Sequence, residues 1–153
     1  MPNSSRLDLD KFMPYRLSVL TNRVSSAIAR HYSQRFSLSI PEWRVMAVLG
    51  QTPGLSAREV AERTAMDKVQ VSRAVQSLLA ARRLSRVAHA RDGRVAHLSL
   101  SARGQAIYNE VVPLALMLEK QFLSVLSAEE RKALDVLLTK LSAAPAAMTT
   151  DFD

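Results

Sequence analysis

The chain has 153 residues, 48% of them hydrophobic, which suits one compact domain or a domain with a dimerisation extension. It has no cysteine, which excludes disulfides, thiolate metal sites, a nucleophilic thiol and thiol-based peroxide sensing. The net charge of +7 is uneven: residues 1–66 carry nine Lys/Arg against five Asp/Glu, residues 67–94 seven against two, and residues 95–153 five against seven. That mid-chain concentration fits a footprint on a polyanion; its plain alternative is a solvated basic face.

Leu17, Leu20, Val24, Ile28, Tyr32 and Phe36, spaced by three or four, predict a first helix over about residues 11–36. Its apolar stripe is longer than a small domain usually covers, so part of it is expected to meet another subunit. Ser39-Ile-Pro-Glu42 reads as a capping box, and Pro41 is tolerated in a first turn whose amides have no intrahelical acceptor. The helix it opens, with Trp43, Val45, Met46, Val48 and Leu49, is expected to end near Gly50, before the turn Thr52-Pro-Gly54.

Leu55-Ser-Ala-Arg-Glu59-Val60 repeats the box, with Leu55 and Val60 as a hydrophobic staple, and predicts a helix of about two turns. Met66-Asp-Lys-Val-Gln70-Val71 repeats it again, with Asp67 capping, Gln70 answering and Met66 stapling to Val71. The helix that follows runs to about Arg82 with Val71, Ala74, Val75, Leu78 and Leu79 on one face. Two capped helices this close form a helix-turn-helix.

Burying that stripe leaves Lys68, Val69, Gln70, Ser72, Arg73 and Gln76 outside, mostly in the first two turns. That suits a recognition helix entering a major groove by its N-terminal end. Arg73 matches guanine O6/N7, Gln70 or Gln76 adenine N6/N7, and Val69 the thymine methyl. Ser72 and the capped amides after Ser56 and Asp67 suit phosphates. An ordinary amphipathic helix with a polar solvent face remains the alternative for this helix alone.

Leu84–Ala90 and Val95–Leu100 alternate loosely around Arg91-Asp-Gly-Arg94, a hairpin signal. Helix-turn-helix plus hairpin is a winged helix, and Arg91 and Arg94 at its tip suit a narrow, electronegative minor groove. Asp92 is read either as a brace for Arg94 or simply as a good turn residue. Ser101 then caps a helix to about Leu126, with Ile107, Val111, Leu114, Leu118, Phe122 and Val125 along one face and Pro113 expected to kink it. Ser127-Ala-Glu-Glu130 boxes a last helix carrying Leu134, Leu137, Leu138 and Leu141, and the tail from about Ala143 is expected to be disordered. The fold expected is mainly α with a small β-hairpin wing, a winged helix-turn-helix flanked by long helices. Its parts are an N-terminal dimerisation helix (1–37), the DNA-binding domain (38–100), C-terminal dimerisation helices (101–142) and a tail (143–153). An intramolecular hairpin is the alternative use of the terminal helices.

The order of elements resembles the MarR (multiple antibiotic resistance regulator) family of bacterial transcription factors over roughly residues 12–142. The matching stretches are Ile40–Leu49, Leu55–Ala61, Met66–Val75, and Asp92-Gly-Arg94 followed by Leu98-Ser-Leu-Ser-Ala-Arg-Gly104. The resemblance implies a homodimer on a pseudo-palindromic operator, with Gln70, Ser72 and Arg73 in the major groove and Arg94 in the minor groove. It also implies a repressor released by a small ligand, an aromatic acid or a coenzyme A thioester. One departure is Arg82-Arg83 where the family commonly has glycine after the recognition helix, leaving Arg83 to accept the strain or the helix to end differently.

An effector pocket is expected between the first two helices and the start of the fifth, with Tyr15, Arg16, Trp43 and Arg44 offering an apolar slot with a carboxylate partner, although plain core is the better reading of Trp43 and Tyr15 taken singly. His31, His89 and His97 show no metal-ligand spacing, and no cofactor or catalytic constellation is evident. No paired acids, Gly-rich phosphate loop or nucleophile elbow is seen, so an enzyme is not expected. No apolar run of 18 residues and no signal peptide are seen, so no membrane partner is expected and the cytoplasm is the expected location. The rival readings are a winged-helix protein-interaction module and an architectural DNA binder without an effector.

Overall fold

The computed structural model describes residues 6–88 and 96–148. Two compact units divide the chain, Met1–Ala115 and Leu116–Asp153. The first holds α1 (Met13–Phe36), α2 (Ile40–Gln51), α3 (Ala57–Thr64), α4 (Lys68–Ala80), β1 (Leu84–Ala88), β2 (Ala96–Leu100) and the start of α5 (Ala102–Leu123). The second holds the end of α5, then α6 (Ala128–Ala143) and a 3-10 turn over Ala144–Ala147.

Helix α1 starts without a side-chain cap and ends on Ser37 in the left-handed region. Its stripe is buried only toward the C-terminus: Tyr32 is fully enclosed, whereas Leu17 and Leu20 are exposed. The expected capping boxes form in full at three starts. Ser39 and Glu42 exchange bonds of 3.2 Å each at α2, Ser56 and Glu59 bonds of 2.8 and 3.2 Å at α3, and Ser127 and Glu130 bonds of 2.9 and 3.1 Å at α6. At α4 the expected box is one-sided. Asp67 Oδ1 accepts from the amides of Val69 and Gln70, and the carboxylate alone meets the orphan donors that a Gln70 return bond was expected to share.

The core of the first unit is Tyr32, Val45, Met46, Leu49, Val60, Val71, Val75, Leu78, Leu84, Leu98, Ile107 and Val111, drawn from every element. Helix α2 is its spine, packed against α3, α4 and β2. The strands pair antiparallel, Leu84 opposite Leu100 and Ala88 opposite Ala96. A bridge from Leu55 to Leu98 locks β2 onto the loop before α3, with Leu98 N–H to the Leu55 carbonyl and Gly54 N–H to the Leu98 carbonyl, each 2.8 Å.

Three boundaries differ from expectation. Helix α4 stops at Ala80, and Arg82 rather than Arg83 takes the left-handed conformation, φ 57°. The Arg82 amide donates to the Leu79 carbonyl and the Arg83 amide to the Leu78 carbonyl, the paired bonds of a Schellman ending built without glycine. Helix α5 ends at Leu123, three residues early, and continues through Pro113. The tail was expected from about Ala143, but α6 includes that residue and a 3-10 turn occupies 144–147. No single helix among the described residues is long and apolar enough to cross a membrane.

Candidate nucleic-acid interface

The alternation of α4 decides the character of this surface. Val71, Ala74, Val75 and Leu78 are buried, while Lys68, Val69, Gln70, Ser72, Arg73 and Gln76 are all exposed. The six outward residues expected from the stripe therefore share one open face, concentrated in the first half of the helix. Val69 is 58% exposed, an apolar side chain presented to solvent at the N-terminal end of the helix. Neither Lys68 nor Arg73 is in an ion pair among the described residues, so both charges are available to an anion.

Ser56 behaves differently. It is 9% exposed, its amide donates to Glu59 and its hydroxyl accepts from the Glu59 amide, so it serves the α3 cap and does not stand on the exposed face. The Ser56 amide first, and the Ser56 hydroxyl next, hold the Glu59 carboxyl below its ordinary value, partly opposed by desolvation, with His97 and Arg63 adding smaller electrostatic pulls. His97 Nδ1 lies 2.6 Å from the Gly54 carbonyl, tying β2 to the loop that leads into α3. Arg91, Asp92 and Arg94, the wing-tip residues, lie outside the described residues, as does His89.

A cleft of about 460 Å³ runs beside the recognition face, between the start of α2 and α4, and includes Gln70 and Arg73. Across it the Ser77 hydroxyl donates to Glu42 Oε2 at 3.2 Å. Glu42 thus caps α2 with one oxygen and holds α4 with the other, a link that no local pattern could have announced because its partners are 35 residues apart.

The four residues expected to form an effector pocket stand in two places. Tyr15 and Arg16 line a shallow cleft of about 300 Å³ with Asp10, Val19, Leu20 and Arg23 on the exposed half of α1. Trp43 lies between Tyr32 and Tyr108, ring centres 5.8 and 5.9 Å away, and Arg44 donates to the Ser25 hydroxyl at 3.2 Å. Ser25 is ten residues beyond Tyr15, about 15 Å along the helix, so one chain does not close a slot from all four. Tyr108 was not anticipated. Its signal was Gly50: a Cβ there would collide with the Tyr108 ring, so the glycine is what lets α5 lay that ring against α2. Burial pushes the Tyr32 hydroxyl above its ordinary value, partly countered by Arg44. Among the described residues no three His, Asp or Glu side chains cluster as metal ligands.

The profile of the MarR family matches residues 36–95, the winged-helix segment. The helix-turn-helix-type transcriptional regulator BilQ of Clostridium symbiosum is 32% identical over 108 residues, covering 71% of this chain and 75% of the relative. A helix-turn-helix-type transcriptional repressor of Mycobacterium bovis is 27% identical over 131 residues, 85% of this chain and 91% of the relative. A MarR/EmrR family transcriptional regulator from Acinetobacter sp. ADP1 superposes with a TM-score of 0.85 at 27% identity, covering 93% of this chain and all of that one.

Proposed function

Because the chain belongs to the MarR family of DNA-binding transcriptional regulators, which are not enzymes, we propose that it acts as a homodimeric repressor on a pseudo-palindromic operator and is released by a small ligand. The observation that carries this reading is the face of α4: six outward side chains, four suited to base edges and two to phosphates, on a helix whose other side is core. In this mechanism Arg73 and Gln70 read bases, Gln76 and Val69 extend the contact, and Lys68 and Ser72 hold phosphates. Arg91 and Arg94 reach a minor groove, with Asp92 bracing the turn between them.

Two subunits are supported by the apolar surface outside the winged helix. Leu17 and Leu20 on α1, and Leu137, Leu138 and Leu141 on α6, are exposed, a quantity of apolar area that a second copy would cover. The effector is read as an aromatic acid or acyl-CoA-like molecule, on the strength of an aromatic wall at Trp43 beside the Arg44 cation. Repression is supported by the name of the mycobacterial relative.

The test is fluorescence anisotropy on duplex DNA taken from upstream of the protein's own coding sequence. Affinity should fall steeply between ~50 and ~200 mM salt, and Arg73→Ala should cost about 1–3 kcal/mol at the preferred site. An affinity indifferent to both salt and Arg73 would favour a protein-interaction module instead. Sequence-selective binding that no aromatic acid or thioester loosens would leave an effector-free architectural binder.

A further inference from the structure

The Arg82-Arg83 pair has no part in the base-reading face, yet Arg83 joins more elements than any residue on it. Its amide closes the end of α4 on the Leu78 carbonyl at 2.8 Å, and its carbonyl accepts the Ser101 amide at 3.1 Å, at the start of α5. The same carbonyl packs against Gly104 so closely that any Cβ there would collide with it. Strand β1, the root of the wing, begins at the next residue, Leu84, which is core.

The side chain adds a fourth element. Arg83 Nη2 donates to the carbonyl of Phe36, the last residue of α1 and 47 positions back in the chain. That carbonyl is one of the final four with no intrahelical donor, at the negative end of the helix dipole, where a cation is favoured. Arg35, in the same last turn, is engaged elsewhere, paired with Glu110 and lying over the Phe36 ring, so Arg83 is the cation that meets this carbonyl. Arg83 Nε meanwhile is buried with no acceptor among the described residues. A guanidinium placed for stability would have its buried donors met. One that reaches a distant helix end while leaving a donor unmet is a weak stabiliser and an effective connector.

We propose that Arg83 is a positioning residue that straps the last turn of α1 to the junction of α4, β1 and α5, so that a displacement of α1 is passed to the root of the wing and the end of the recognition helix. Its consequence for DNA rests on the function proposed above; the strap itself is a property of the free protein. It gives the helix whose exposed half is assigned to the subunit interface a direct hold on the DNA-reading elements.

Hydrogen exchange on the full chain, comparing Arg83→Met with Arg83→Lys, tests the strap without DNA. Loss of the donor in Arg83→Met should speed exchange at Tyr32–Phe36 and along Leu84–Val87 by about three- to thirtyfold, leaving α3 unchanged. Arg83→Lys, which keeps a donor for the Phe36 carbonyl, should restore protection. A uniform rise across all helices, no rise at the wing root, or a lysine variant as fast as the methionine one overturns the strap. On upstream duplex DNA, Arg83→Met should weaken binding by a similar about three- to thirtyfold with an unchanged salt slope. A slope lower by about 0.9 would instead make Arg83 a phosphate contact and overturn its positioning role. Failure of the unaltered chain to bind DNA sinks the proposed function, and the exchange result then decides the strap alone.

Discussion

Helices α4 and α6 carry similar apolar stripes and opposite fates. Val71, Ala74, Val75 and Leu78 of α4 vanish into the core, whereas α6, with Leu134, Leu137, Leu138 and Leu141 at the same spacing, buries none of its residues. Both helices begin at a side-chain cap. Capping and periodicity therefore explain why each segment is helical but say nothing of what covers it. A leucine about half exposed, as Leu137, Leu138 and Leu141 are, leaves apolar surface that any covering partner would gain roughly 25 cal/mol per Å² by burying, and the proposed second copy is one such partner.

The comparison breaks most visibly if α6 is given charge. Leu138→Lys with Leu141→Lys should convert dimers to single chains in sedimentation equilibrium at micromolar concentration, while circular dichroism keeps the helices of the first unit. Dimers that persist in the double variant would move the subunit interface off α6. The matching change in α4, Leu78→Ala, removes a fully enclosed side chain and should cost about 2–5 kcal/mol in urea unfolding, whatever the protein concentration. Leu138→Ala should by contrast lose stability in a concentration-dependent way, because its contacts would be made on assembly.

How much of this was legible follows from the range of each interaction. The caps at Ser39, Ser56 and Ser127 and the two faces of α4 were readable because their partners lie within four residues or within one helical period. The pairing of the two strands as a hairpin was readable from a turn signal, whereas their register, Leu84 opposite Leu100, was not, and the turn residues themselves lie outside the described segments. What escaped is long-range: Glu42 to Ser77, Arg83 to Phe36, and Tyr108 against Gly50 join residues far apart in the chain. Separation along one helix also explains why Tyr15 and Arg16 do not meet Trp43 and Arg44, since a list of suitable residue types carries no distances. Arg82 shows the limit differently. The missing glycine was evident, but the left-handed position fell one residue earlier than expected, because α4 ends at Ala80 and the Schellman bonds fix which residue follows.

The capped starts allow a finer test between the two units. Ser56→Ala and Ser127→Ala should each cost about 0.5–2 kcal/mol in thermal unfolding, with Ser56 toward the upper end because it is buried and Ser127 toward the lower. Glu59 and Glu130 are both held below the ordinary carboxyl value, first by the amide of the N-cap serine and then by its hydroxyl. A carboxyl depressed in the folded state contributes stability that is complete above its unfolded value of 4.5 and is lost as the pH falls through its lower folded value. Glu59→Gln should therefore flatten the acid limb of the stability curve in the range below about pH 5. An acid limb identical to that of the unaltered chain would mean that the capping carboxylate is equally favoured in the unfolded state.

The smallest effect sits at the end of α4, where the chain accepts strain that glycine would avoid. Arg82 holds φ at 57° with its side chain exposed, and its carbonyl accepts the Ser101 hydroxyl at 2.6 Å, a bond that needs nothing of Arg82 but its backbone. Arg82→Gly keeps every one of those backbone bonds. It relieves about 1–2 kcal/mol of left-handed strain and gives back about 0.5–1 kcal/mol in the extra freedom of the unfolded glycine. The expected result is a stabilisation of up to about 1.5 kcal/mol in urea unfolding with an unchanged m-value. Its value lies in the contrast with Arg83→Met one residue on, which disturbs a side-chain bond to α1 and leaves the backbone ending intact. If Arg82→Gly left the wing root as protected as before while Arg83→Met loosened it, the two arginines would have separate tasks, one closing the helix and the other holding α1. If both variants loosened the wing root alike, the backbone ending itself would be the element that α1 depends on.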